Sequence, residues 1–395
     1  MARPPDIDGR DGGGAPEGLT EQNLLVEVPH YRPPIYLLLI RFVLVAIAVL
    51  AVSVVFFSVY WFVVAGNLKG GLKSWAADQL VPGIRLHYEG VEISGYPFVF
   101  RTILTKPQLS LSITPASSDR REWRWQSSQI IAEMRPWDLS NMKLDVSGSN
   151  YIEFKRGTVR DVYRAATPQF LISVIIGDDG LPNISSLTVG DLEVRDKRGN
   201  DMFSARHIHF RAERLFPPEL TNEKPTFDFN ADVQDLFLQK GFSFPMGRKI
   251  ESFHVKLQLL GPLKRPVNRE NLEAWRDEGG IIEITALEAR YGSVQMVASG
   301  TMALDRELQP LAAMSVNLQG YIPALDQLRS AGVIGPGEAA IAKLVLGTLF
   351  RREVDGGQAA VRLPLNIRDR VLKAGGIKLF SIPRLAWPGK ATKVK

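Results

Sequence analysis

Few residues in this chain are of types that do chemistry, and their spacing decides how much they can do. There are five histidines: His30, His87, His207, His209 and His254. His207 and His209 are two apart in a segment that reads as a strand, so they share one face. That spacing can chelate a metal, but no carboxylate is placed beside them by sequence, and the pair reads as surface histidines. His87 and His254 alternate with apolar neighbours and are expected to face solvent. Asp178 and Asp179 precede Gly180 and read as a turn rather than an acid/base pair. The chain has no cysteine, which excludes disulfides, thiolate nucleophiles and thiolate metal sites. No nucleophile elbow, phosphate loop, dinucleotide fingerprint or H-E-x-x-H helix is present. Arg120 to Trp125 mixes basic and aromatic side chains, which is one way to bind bases. The same pattern is met by a strand with Trp123 and Trp125 on one face and Arg124 on the other. The reading is of a protein that is not an enzyme, holds no cofactor or metal, and binds no nucleic acid.

The strongest signal is physical rather than catalytic. Phe42 to Val64 runs without a charged side chain. A bilayer core about 30 Å thick needs roughly 20 apolar residues in a helix. Residues 35–66 therefore read as a transmembrane anchor, with Phe42, Leu50, Phe57 and Val64 along it. Tyr60 and Trp61 stand near its far end, where amphipathic aromatics prefer the interface. A cleaved signal would start earlier and carry a shorter apolar region. Residues 1–34 are rich in proline and include Gly12 to Gly14, so they read as a disordered arm. The flanking charges are nearly balanced. The short arm before a single span is the layout of a signal anchor, with the arm cytoplasmic and the bulk periplasmic at an inner membrane.

Beyond the span, Leu72, Trp75, Ala76 and Leu80 recur at helical spacing, giving a short helix over about 67–80 that either lies on the membrane surface or caps the domain and ends at Pro82-Gly83. From Ile84 the period becomes two. Phe253, Val255, Leu257 and Leu259 alternate with polar residues, as do Met314 to Leu318 and Val361 to Ile367. This is the mark of strands with one covered and one wet face. Asp196 to Asp201 reads as a hairpin turn, and a second hairpin is expected from Val361–Ile367 to Ile377–Ile382 across Gly375-Gly376. Pro364 suits an edge or bulge. Three helices are expected: one capped by Asn268 and carrying Leu272 and Trp275, one opened by Pro323, and one carrying Ile341, Leu344, Val345 and Thr348. The fold class is mainly β: a transmembrane helix, then a long curved antiparallel sheet with a few packed helices over 67–385. A soft boundary is expected near 264–268, and a flexible basic tail over 386–395.

Ser94-Gly95-Tyr96-Pro97-Phe98, with Pro107 beyond it, sets Phe98, Phe100, Thr102 and Leu104 on one face. The order of anchor, Trp75 helix, strand, this segment and Pro107 resembles an uncharacterised alphaproteobacterial family known as domain of unknown function twenty-one twenty-five. Gly279-Gly280, Gly300 to Asp305, Leu308 to Pro310 and Leu363 to Ile382 extend the resemblance over most of 67–385. The hairpin from Asp191 to Ile208 also resembles the meanders of AsmA-like envelope proteins. That resemblance implies an inner-membrane protein whose periplasmic sheet carries an apolar groove and handles phospholipid. The expected function is non-enzymatic binding or handing on of phospholipid or another amphiphile, with Phe98, Phe100 and Leu104 as groove candidates. A scaffold for envelope proteins is the alternative, and an envelope hydrolase the third class.

Overall fold

The computed structural model describes residues 35–78, 84–113, 121–217, 219, 221–239, 246–349, 352–355, 358–374, 377–385 and 387. Residues 1–34, the Pro82-Gly83 stop and all of the basic tail except Trp387 lie outside the described residues. The chain divides into two units, Met1–Phe57 and Ser58–Lys395. The first holds most of the apolar run, whose side chains, among them Phe42 and Leu50, are exposed. Helix α1 spans Ile35–Asp78. The anchor and the expected short helix are thus one element: neither Gly66-Asn67 nor Gly70-Gly71 contains a proline, and two weak helix formers do not end a helix this long.

The second unit is an antiparallel meander. Almost every strand pairs with the next along the chain, as short turns between two-periodic segments require. The early strands are long and broken in the middle. Phe100–Thr105 continues into Gln108–Ile113, Arg121–Ser127 into Gln129–Arg135, Asp138–Asp145 into Gly148–Arg156, and Val159–Thr167 into Gln169–Ile176. Each half pairs with the matching half of its neighbour. Pro182–Asp196 then pairs Gln169–Ile176 along its first half and Val159–Thr167 along its second.

The breaks line up across the sheet. Lys106, Asp191 and Asp235 stand on this line with φ of 46°, 45° and 48°. A residue of positive φ interrupts the alternation of side chains, as in a bulge. The apolar positions change parity there: Leu187 and Val189 give way to Leu192 and Val194, Ile208 and Phe210 to Phe203 and Ala205, Ala231 and Val233 to Leu236 and Leu238. Backbone groups that lose their ladder partners on this line are met by side chains. Ser127, Asn150 and Thr167 are each at most 4% exposed. Asn150 Nδ2 donates to Val146 O at 3.0 Å, Thr167 Oγ1 donates to Gly190 O, and the Phe170 N–H donates to Ser147 Oγ at 2.9 Å. Asp235 pairs with Lys249 at 2.6 Å and Arg206 at 2.8 Å. The hydrogen bond from Lys249 holds its carboxyl below the usual range. Asn150 Oδ1 also accepts from Trp125 Nε1 at 3.1 Å. Asn150→Ala is expected to cost about 1–3 kcal/mol, because the Trp125 N–H and Val146 carbonyl lose their partner. Chemical denaturation of the two proteins measures it.

The three later helices form where expected. Asn268 caps α2 (Arg269–Asp277), accepting from the Asn271 N–H at 2.9 Å, with Leu272 and Trp275 buried. Helix α3 (Tyr321–Ser330) starts two residues before Pro323 and has Gly320 as its N-cap. Gly320 has φ +69°, and a Cβ there would lie 1.7 Å from Ser293 O, so only glycine fits. Helix α4 runs Pro336–Leu349. Its Ile341 and Leu344 face outward, and Leu346 packs on the sheet instead.

Gln358–Arg368 returns through Asp369 and Arg370, both of positive φ, into Val371–Ala374 rather than directly into Ile377–Ser381. A two-residue turn without glycine carries no glycine signal in the sequence. Pro364 faces Ser315 on one side, and its other side falls between the stretches paired with Arg352–Asp355 and Val371–Ala374. A missing N–H costs nothing there. The segment 264–268 does not divide the sheet, since Lys249–Leu260 pairs Ile281–Tyr291 across it.

Candidate functional site: an apolar face covered at both ends

Residues directly opposite one another in antiparallel strands share a face. The register therefore traces a row of side chains across the sheet. It runs Ile93, Thr102, Ala132, Leu144, Ile172, Leu187, Phe210, Ala231, Val255, Leu287, Ala298, Val316 and Leu363. Every member except Thr102 is apolar. A parallel row, Phe170, Val189, Ile208, Val233, Phe253, Ala289, Met296, Leu318 and Val361, is apolar throughout. On the opposite face, Lys143, Ser173, Ser186, Arg211, Asn230 and Lys256 form a polar row.

Helices cover the two ends of the apolar face. At the first edge, Trp61 and Ala65 of α1 pack on Phe100, with Ile93, Val64 and Leu68 around them. Trp61 is 3% exposed and stacks on Phe100 with ring centroids 5.0 Å apart. At the far end Tyr321, Ile322 and Leu325 of α3 and Leu346 of α4 pack on Ala298, Val316, Val361 and Leu363. Leu144, Ile172, Leu187, Phe210, Ala231 and Val255 belong to neither cluster. They are half-buried, and Phe210 is 37% exposed. Six neighbouring strands at about 4.8 Å spacing make this stretch about 24 Å wide. One leaflet of a bilayer core is about 15 Å thick. A hydrocarbon chain of leaflet length thus fits the stretch.

The sequence-derived groove candidates fall at the edge of this face. Phe100 is 0% and Leu104 7% exposed; they face the same side as the open stretch but lie at its covered end. Phe98 is elsewhere. It sits in the turn between Gly90–Ser94 and Phe100–Thr105 and is 71% exposed. Gly95 makes that turn possible: its φ is +97°, and a Cβ would meet Val99 O at 2.5 Å. The open residues themselves were missed, although their two-periodic pattern was visible, because covering is a property of other elements.

His207, His209 and His254 sit on the polar face. His207 and His209 stack at 6.4 Å, and His209 Nδ1 lies 3.1 Å from Thr188 Oγ1. Among the described residues no group of three His, Cys, Asp or Glu side chains converges as metal ligands do. His254 is less free than its alternation suggests, since its Nδ1 lies 2.6 Å from Asp232 Oδ1. Trp123 and Trp125 face away from Arg124, which pairs with Glu153 at 3.5 Å. Asp179 does form a turn with the Leu181 N–H, and Arg214 grips it at 2.7 Å. These two partners, Arg214 foremost, hold its carboxyl at about 2. A depressed carboxyl stabilises the fold above its unfolded value of 3.8, and the contribution is lost as pH falls through about 2. In Arg214→Gln the Asp179 titration, followed by carboxyl NMR, is expected to move up toward 3.8.

Helix and sheet together define a class: an amphipathic antiparallel meander of one polar and one apolar face, preceded by a helix long and apolar enough to cross a membrane. The chain belongs to a family of uncharacterised proteins conserved in bacteria, DUF2125, whose family model matches residues 61–383. The match begins at Trp61, the residue that closes the first edge of the sheet. No curated protein matches the chain.

Proposed function

We propose that this protein is held in a bacterial inner membrane by α1, with residues 1–34 cytoplasmic and the sheet periplasmic, and that it binds or hands on a lipid or another amphiphile. The reading is non-enzymatic. The observation that carries it is the uncovered stretch from Leu144 to Val255, apolar across six strands between two helical covers. Water on that stretch is costly, and each methylene that replaces it contributes about 0.8 kcal/mol. A soluble exported domain has little reason to leave such a surface bare. The outward apolar pair Ile341 and Leu344 on α4 supports a second reading, a scaffold that docks another envelope protein.

Purification of the full chain in mild detergent, followed by native mass spectrometry, tests the two. Retained adducts of phospholipid mass are the expected result. A lipid-free chain that co-purifies with a stoichiometric protein partner would favour the scaffold.

A further inference from the structure

The strands of the meander have two ends, and the turns at those ends differ. At one end Phe98 and Trp137, in turns, are 71% and 63% exposed, and Leu181 and Phe216 continue the series at 37% and 66%. Pairing of Phe100 with Met134 places the Phe98 and Trp137 turns side by side. At the other end the chain turns through Lys197, Arg198, Gly199 and Asn200, and through Gly292 and Ser293. Scattered apolar exposure is ordinary, but a series at successive turns of one end is a surface.

That end is also the one tied to the apolar run. Tyr60 donates its hydroxyl to Pro136 O at 2.7 Å, one residue from Trp137. Ser58 Oγ lies 2.6 Å from the hydroxyl of Tyr96, two residues from Phe98. Phe62, itself 63% exposed, stacks on Tyr96 with centroids 5.7 Å apart. Ser58 stands six residues before Val64, the last large apolar residue before Gly66-Asn67. At 1.5 Å per residue the attachment lies about 9 Å inside the apolar end of the helix. Turns fastened at that height are at the level of the headgroups or just below them, where exposed aromatics are stable.

We propose that this end of the sheet rests on the bilayer, with the Phe98 and Trp137 turns inserted into the interfacial layer beside α1. The proposal rests on α1 spanning the membrane. It deepens the lipid reading by bringing this end of the open strands to the membrane: the Leu181 turn joins Gln169–Ile176 to Pro182–Asp196, two strands of the uncovered stretch.

The absence of cysteine makes the test direct. Single cysteines at positions 50, 98, 137 and 198 are introduced into the full chain and labelled with a nitrobenzoxadiazole fluorophore. The protein is then reconstituted in phosphatidylethanolamine–phosphatidylglycerol vesicles with and without lipid-borne nitroxide quenchers. Quenching at 98 and 137 is expected to exceed that at 198 several-fold. Equal quenching at 98, 137 and 198, with strong quenching at 50, would overturn the inserted turns and leave the anchor intact. Weak quenching at 50 would overturn the anchor and the proposal with it.

Discussion

Phe100→Asp is expected to abolish the folded state of the sheet's first edge, whereas Phe98→Asp, two residues away, leaves it standing. Phe100 is 0% exposed and lies flat against Trp61, with Tyr96 edge-on to the same indole at 5.6 Å. An aspartate in its place would be a buried carboxylate packed among Trp61, Ala65, Val64, Leu68 and Ile93. Its cost is several kcal/mol, comparable with the 5–15 kcal/mol that holds a typical domain together. Phe98 is 71% exposed, so a charge there stays in contact with water or headgroups and should cost no more than about 0.5 kcal/mol. Thermal unfolding of both variants as full chains in detergent, followed by circular dichroism, separates them. A Phe100→Asp protein that melts like wild type would mean that Trp61 does not close on the sheet.

The second large effect concerns binding. Phe210→Glu is expected to strip the protein of co-purifying lipid while the protein remains folded. Phe210 lies in the middle of the uncovered stretch and is 37% exposed, so a carboxylate can reach water and the stability cost should stay near 1–2 kcal/mol. A hydrocarbon chain laid over that position would desolvate the charge, and the penalty outweighs what a few methylenes contribute. Arg211→Glu is the matched control. It changes charge on the adjacent residue, which belongs to the polar row with Ser186 and Asn230, and should keep the lipid. Native mass spectrometry reads both. Lipid retained by Phe210→Glu would remove the open stretch as its seat.

These two positions also show how far residue types reach. Phe98, Phe100 and Leu104 look alike in the sequence, as apolar members of one alternating segment. Their fates differ because Gly95 turns the chain and α1 returns to the edge of the sheet: one ends exposed, two end buried. Phe210 looks like any inward residue of a two-periodic strand. It is open because α1 covers the face only near Ile93, and α3 and α4 only as far as Leu287.

What the sequence determined by itself is whatever short-range physics dictates. The charge-free run of Phe42 to Val64 makes a helix long and apolar enough to cross a membrane. Period two from Ile84 onward demands strands with one wet face. Asn268 caps its helix, and Gly199 makes its hairpin turn, through contacts made within a few residues. The tertiary structure decided the rest. Positive φ at Lys106, Asp191 and Asp235 lined up across strands far apart in the chain, and so kept the slipped apolar pattern within one sheet. The return through Asp369 and Arg370 chose a register that glycine spacing did not show. Above all, it decided which part of a uniformly apolar face stays bare. Alternation records that a side chain leaves water, but the element it meets comes from elsewhere in the chain, and in the stretch from Leu144 to Val255 no described helix arrives.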